Sequence, residues 1–222
     1  GMFVALIGHG FKQSIFLFQR CYKALHIPPV LRPVIPFLLS LPVGLWLSYS
    51  SGGGEGLIKA LTEQPFPLMT LLMFLTVKLL FTGISAGSGA IGGIFVPLLA
   101  CGAVGGALYA TVLVRFGLLA QEYVNAMILF GMAACFTTVI KAPLTACVIV
   151  IETSGAFHQL SGLVLTCFTA YLTASFIGSQ AHDHIVLTQI LESEYQSPEQ
   201  NTSAGTPQLY ELPIGLHSTA AL

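Results

Sequence analysis

The sequence predicts an all-α integral membrane protein containing broken and re-entrant helices, and three observations lead there. First, its 222 residues are 55% hydrophobic and only 8% charged, with mean hydropathy +0.83. Soluble domains carry about 25% charged residues, so this chain has too few charges to clothe a surface in water. Second, several apolar runs approach the roughly 20 residues that a membrane-spanning helix needs. Third, other runs are short or interrupted by proline and glycine. Lipid cannot satisfy free backbone groups, so such segments must line a cavity or pack inside protein. Paired broken helices mark transporters and channels that hold an ion near the midplane. The net charge of -1 provides no basic face for nucleic acid.

In chain order, Gly1 before Met2 reads as a scar of tag removal. Phe3 to Leu25 reads as a helix with a polar end, broken by His26-Ile27-Pro28-Pro29. Leu31 to Tyr49 is apolar and long enough to span, although it carries Pro33, Pro36 and Pro42. Ser50 to Gly56 is a glycine turn, followed by a short helix to about Leu61 that Pro65 and Pro67 stop. Leu68 to Thr82 is an apolar helix with Lys78 inside it. Ala126 to Val139 and Leu144 to Glu152 are each too short to span alone, and Lys141-Ala142-Pro143 separates them. Ser161 to Ile177 is a longer apolar helix. From Ser179 the chain turns polar, with a possible helix over His182 to Tyr195. A loose tail rich in Ser, Thr, Pro and Gln follows.

The stretch Ile84 to Tyr109 organises the rest. It opens glycine-rich and turns at Gly92-Gly93. It then enters an apolar helix beginning near Ile94 or Phe95 and running to about Leu119, with Pro97 in the first turn. The first amides of a helix lack intrahelical partners and lie at its positive end. Such a start holds an anion well.

Other patterns are weaker. Gly87-Ser88-Gly89-Ala90-Ile91-Gly92 fits the dinucleotide fingerprint, but the nearest acid downstream is Glu122 and no βαβ alternation surrounds it. Gly102 and Gly106 form a GxxxG that reads as close helix packing. Lys78 and Glu152 are the charges placed within or at the end of apolar runs, where ionisable groups are functional candidates. Helix-end placement and snorkelling are the competing explanations. His182-Asp183-His184 does not read as a metal site, because i and i+2 do not share a helix face. The five cysteines stand singly without a CxxC and read as buried small hydrophobes. No nucleophile with a base, closed metal-ligand set or cofactor motif emerges, so the chain does not read as an enzyme.

The run Gly93-Ile94-Phe95-Val96-Pro97 matches the GxFxP signature of the CLC family of chloride channels and proton-coupled chloride transporters. Ser51 to Gly54 with Gly56-Leu57-Ile58 resembles that family's outer glycine turn. Ser88 to Gly93 resembles the loop entering its anion-binding helix. Gly131 to Ala134, Lys141 to Thr145 and Val150 to Thr153 resemble the next helices in the same order and spacing. The resemblance covers the chain to about Leu191, leaving 192–222 as a polar tail.

The resemblance implies one inverted-repeat half, the second, of the CLC fold. It implies anion binding at Gly93, Ile94, Phe95, Val96 and Pro97, with chloride as substrate. The activity would be voltage-gated-type chloride conduction or chloride/proton antiport. The family's serine loop, gating glutamate and inner proton glutamate belong to the first repeat and are absent here. The chain therefore reads as a truncated piece, a partial gene or a split subunit that needs a separate first-repeat half. Alone, it would be a non-transporting membrane fragment. The parent family is a dimer, with Leu144 to Glu152 and Ser161 to Ile177 matching interface helices. Where the family usually has an anion-binding tyrosine, this sequence places Asp183. The basic residues Lys12, Arg20, Lys23 and Arg32 put the first break on the cytoplasmic side, and together with the topology that the resemblance implies they place the C-terminus there too, in a bacterial inner membrane.

Overall fold

Eight helices follow one another among the described residues, which are 1–25, 27–28, 31–46, 52–89 and 92–178 of the computed structural model. They are α1 (Met2–Ala24), α2 (Val34–Trp46), α3 (Glu55–Glu63), α4 (Leu68–Gly87), α5 (Phe95–Arg115), α6 (Val124–Ile140), α7 (Pro143–Ser154) and α8 (Leu160–Phe176). Single 3-10 turns, Gln121–Tyr123 and Phe157–Gln159, lead into α6 and α8. All described residues belong to one compact unit, Gly1–Ile185. The tail expected beyond residue 191, the possible helix from His182, and Asp183 lie outside the described residues.

The centre is the α5–α6 pair, and glycine is the reason. A Cβ on Gly102 would come 2.6 Å from the Gly131 carbonyl oxygen and 2.8 Å from Met132 Cα. One on Gly106 would strike the Met127 carbonyl, and one on Gly131 the Gly102 carbonyl. The GxxxG of α5 therefore packs backbone against backbone, as its spacing predicts. The long first helix α1 lies across this pair. Gly105 of α5 faces Ile7, and Gly8 of α1 faces Thr138 of α6. On its other side α1 receives α4, where Tyr22 donates to the Ile84 carbonyl at 3.3 Å. The α7–α8 hairpin packs on α6, with α8 also touching α1, and short α3 rests on α5.

Four boundaries differ from expectation, each for a physical reason. Helix α4 runs on to Gly87 instead of loosening at Ile84, because Gly83 and Gly87 let Phe18 and Gln19 of α1 press directly on it. Tertiary packing there overrides weak helix propensity. Helix α5 stops at Arg115, short of Leu119, because Gly117 at φ 69° turns the chain. Its amide reaches Val114 O at 2.9 Å and that of Leu118 reaches Leu113 O at 2.9 Å, a Schellman ending. Helix α6 is not too short to span. With its leading 3-10 turn it runs over 20 residues, Gln121–Ile140, and it ends at Lys141 in the left-handed region ahead of Pro143. In α2 the described helix has 13 residues, fewer than a span needs.

Among the described residues four segments are long and apolar enough to cross a membrane: Leu68–Gly87, Phe95–Arg115, Gln121–Ile140 and Phe157–Phe176. Large exposed apolar residues on α2, α4 and α8, such as Phe37, Met69 and Phe168, give these helices lipid-compatible surfaces. Lys12 is buried within α1 rather than standing near the first break. The basic cluster at that break is Arg20, Lys23 and Arg32.

Candidate anion site at the start of α5

The first turn of α5 leaves its amides open. Ile94 is the N-cap, and no side chain caps it. Pro97 has no N–H, and the first helical bond is Leu98 N to Ile94 O at 3.0 Å. The amides of Ile94, Phe95 and Val96 therefore precede the helical ladder, at the positive end of a 21-residue helix. Gly92 and Gly93 ahead of it are exposed, and a Cβ on either would meet nothing within 4 Å.

Space lies beside this start. A cavity of about 540 Å³ is lined by Phe95 and Val96 of α5, Glu55 of α3, Asn125 of α6, and Thr153 and Ser154 of α7, among others. Phe95 is 38% exposed and holds its place through an edge-on contact with Phe136, with ring centroids 5.6 Å apart. Four helices thus meet beside this helix start, and hydroxyl and amide groups stand among apolar walls together with two charged side chains of α3, Glu55 and Lys59.

The glycine turn Gly52–Gly54 seats against the same helix. A Cβ on Gly53 would lie 3.3 Å from Val96 Cγ1, and one on Gly54 would lie 2.5 Å from Ala100 Cβ. Gly54, at φ 113°, also caps α3, so neither its conformation nor its surroundings admit a side chain. Beneath this turn lies Lys78. It is 1% exposed, and its ammonium donates to Gly52 O at 2.9 Å. The Lys78 Nζ would also stand 3.2 Å from a Cβ on Gly54. A cation from the middle of an apolar helix thus braces the turn that abuts the α5 start. Sequence pattern flags Lys78 only as an intramembrane charge and gives no sign of this partner 26 residues away.

Of the predicted site residues, Val96 meets the glycine turn that Lys78 braces, and Phe95 and Val96 line the cavity, while Gly93, Ile94 and Pro97 are not among its lining residues. Glu152 does not join them. It is exposed near the end of α7 and does not line the cavity, although Thr153 and Ser154 beside it do. Sequence reasoning missed Glu55, Asn125, Thr153 and Ser154. They sit on three separate elements, α3, α6 and α7, and no motif links them.

Comparison with known proteins identifies the family. The model of the voltage gated chloride channel family matches residues 1–175. The H(+)/Cl(-) exchange transporter ClcA of Vibrio campbellii (strain ATCC BAA-1116) is 31% identical over 191 residues, covering 81% of this chain and 39% of that protein. The ClcA of Salmonella paratyphi C (strain RKS4594) is 31% identical over 170 residues, covering 73% and 35%. A crystal structure of a slow cyanobacterial Cl-/H+ antiporter superposes with TM-score 0.76 at 25% identity, covering 88% of this chain and 46% of that one. The chain thus spans about two fifths of the length of the Vibrio relative. It is a multi-pass membrane protein, and it belongs to the voltage gated chloride channel, or CLC, family.

Proposed function

We propose that this chain supplies one half of a chloride pathway in a proton-coupled chloride exchanger. The observation that carries the reading is the α5 start. It has open amides and no capping side chain, and it faces a cavity inside a family whose named relatives exchange chloride for protons. Chloride is partly dehydrated there, and the backbone N–H groups of Ile94 and Phe95 donate to it, with the helix start adding positive potential. Gly93 lets the chain approach the ion, Phe95 walls the passage, and Val96 and Pro97 fix the turn. No full charge touches the ion, which leaves it free to depart.

One helix start supplies about half an elementary charge, so the pathway needs further donors from a first-repeat half, whether joined or separate. The parent assembly is a dimer with α7 and α8 at its interface, in a bacterial inner membrane with the C-terminus cytoplasmic. By the family resemblance Asp183 stands in sequence where relatives usually have a tyrosine. An ionised carboxylate only accepts hydrogen bonds, so the inner anion position is weaker than in relatives. Replacing Asp183→Tyr in a full-length protein should tighten chloride binding by calorimetry.

The deciding experiment is reconstitution into liposomes. The chain joined to a first repeat should drive proton uptake against a chloride gradient, and the chain alone should not. Chloride movement without protons would make the parent a channel. Absence of chloride flux from the joined protein would remove the reading.

A further inference from the structure

The cavity beside the α5 start has charged groups of its own, and α3 supplies them. Lys59 is the cation in its wall and Glu55 the acid, and the other polar groups there are neutral. Helix α3 is amphipathic. Leu57, Ala60 and Leu61 are buried, while Glu55, Lys59 and Glu63 recur at i, i+4 and i+8 on the exposed face. The chain has few acids to place. Among the described residues they are Glu55, Glu63, Glu122 and Glu152, and two of these flank the one lysine of α3. The helix is also held where it stands, since Gly53 meets Val96 and Gly54 meets Ala100 immediately before Glu55.

The wall has fewer free donors than its composition suggests. A hydroxyl has one hydrogen to donate. Thr62 gives its hydrogen to Lys59 O at 2.8 Å, Thr153 to Ile149 O at 2.8 Å and Ser154 to Val150 O at 2.6 Å. These oxygens turn only lone pairs to the cavity, and so does an ionised Glu55. What remains to meet an anion is the Lys59 ammonium, the Asn125 side-chain amide and the open amides of α5. The lysine is loosely engaged. Its Nζ stands 3.8 Å from Glu63 Oε1, and the two side chains are 77% and 63% exposed. A surface pair of this kind contributes little, so an anion can displace the carboxylate. Lys59 lies on the exposed side of the cavity, whereas buried Leu99 and Met132 form its inner wall.

We propose that Lys59 is the capture residue of this cavity: its ammonium draws a small monovalent anion such as chloride from water and passes it to the α5 amides, while Glu55 and Glu63 keep the capture weak enough to reverse. The inference rests on the chloride reading of the α5 start. Lysine suits the task as a point charge on a flexible stem with three rotatable donors. It can let go of Glu63 and follow the ion across the rim. Attraction between exposed charges is screened by salt, with a Debye length of about 10 Å at 0.1 M and about 3 Å at 1 M. Capture is therefore a low-salt effect, which a packing role for Lys59 would not produce.

The first test reads the potential at the α5 start without chloride. In this chain, purified in detergent, Cys21→Ser removes the exposed cysteine and Phe95→Cys places a thiol in the cavity wall. Mass spectrometry follows its modification by an anionic sulfonatoethyl and by a cationic trimethylammonioethyl methanethiosulfonate. One unit charge changes each approach about threefold in opposite senses at low salt. Lys59→Gln should therefore lower the anionic-to-cationic rate ratio about tenfold. Glu55→Gln and Glu63→Gln should raise it, and all three shifts should fade at about 1 M salt. Thr153→Cys in α7 is the second reporter should Phe95→Cys fold poorly. A ratio that Lys59→Gln leaves unchanged, or a change that persists at high salt, overturns the inference and leaves the α5 reading standing. The second test measures chloride transport by the chain joined to a first repeat. Lys59→Gln should raise the half-saturating chloride concentration about threefold, by less as sodium gluconate is added. An unmoved half-saturation in a transporting protein also overturns the inference. Absence of chloride flux with Lys59 in place removes the α5 reading itself, and capture with it.

Discussion

Helix α5 lives in two environments. From Leu98 to Leu108 every residue is buried, and the glycines of this stretch bring its backbone against α6 and its side against α1. At the start, Gly92, Gly93 and Phe95 are exposed, no side chain caps the helix, and a cavity opens alongside. The first region gains its stability from contact. The second leaves out the contacts and hydrogen bonds a helix start ordinarily acquires. The difference shows how a membrane helix presents unsatisfied amides without unravelling. Its body is fixed firmly, and the first turn is steadied from outside by the glycine turn over Lys78 and by the contact of Phe95 with Phe136.

The strongest way to break the comparison is to attack the body. Gly106→Val places a side chain into the Met127 backbone, where neither element can yield. Overpacking costs about 1–3 kcal/mol where side chains can shift, and more where they cannot. We expect at least 3 kcal/mol here, near the exceptional end for a single substitution. Fluorescence-detected size exclusion should show loss of the monodisperse peak. A stable Gly106→Val protein would mean that α5 and α6 are not in backbone contact.

The brace comes next. Lys78→Met keeps the volume of the stem but leaves Gly52 O without its charged donor. Hydrogen bonds to charged groups contribute about 1.5–3 kcal/mol, and part of that returns because a buried charge is no longer desolvated. A net loss of about 1–2 kcal/mol should appear as a lower melting temperature. Lys78→Arg should recover part of it. An unchanged melting temperature would show that the turn holds without the lysine.

Phe95→Ala should do less to the fold. The edge-on pair with Phe136 contributes about 0.5–1.5 kcal/mol beyond area burial, and Phe95 is already 38% exposed. We expect a loss of about 1–2 kcal/mol in denaturant titrations. A loss as large as that for Gly106→Val would place Phe95 in the body of the protein rather than at its opening.

The legibility of the sequence divides along the same line. Composition reports the membrane class because every buried and lipid-facing residue contributes to it. GxxxG reports the α5–α6 contact because both glycines lie on one helix face. Gly93-Ile94-Phe95-Val96-Pro97 is local and matches a family, so the α5 start is readable. What escaped is long-range. Helix α4 persists through Gly83 and Gly87 only because Phe18 of α1 packs there, and no window of sequence contains both. The Lys78–Gly52 bond and the polar groups around the cavity share that character. Each joins elements whose proximity is decided by the fold.

The smallest expected change in stability sharpens the comparison most. At Gly93 a methyl group would meet nothing within 4 Å, and the residue does not lie in the left-handed region. Gly93→Ala therefore introduces neither a clash nor backbone strain. Restricting the unfolded chain would even stabilise the protein by up to about 0.4–1 kcal/mol. The melting temperature should hold or rise slightly. If the open space beside Gly93 is where chloride approaches the Ile94 and Phe95 amides, the same methyl group stands in the ion's path. Chloride affinity, measured by calorimetry on the chain joined to a first repeat, should then fall several-fold while stability does not. Gly106→Val would lose both together, because it damages the scaffold. If Gly93→Ala leaves both stability and affinity untouched, the space at the α5 start belongs to something other than the anion.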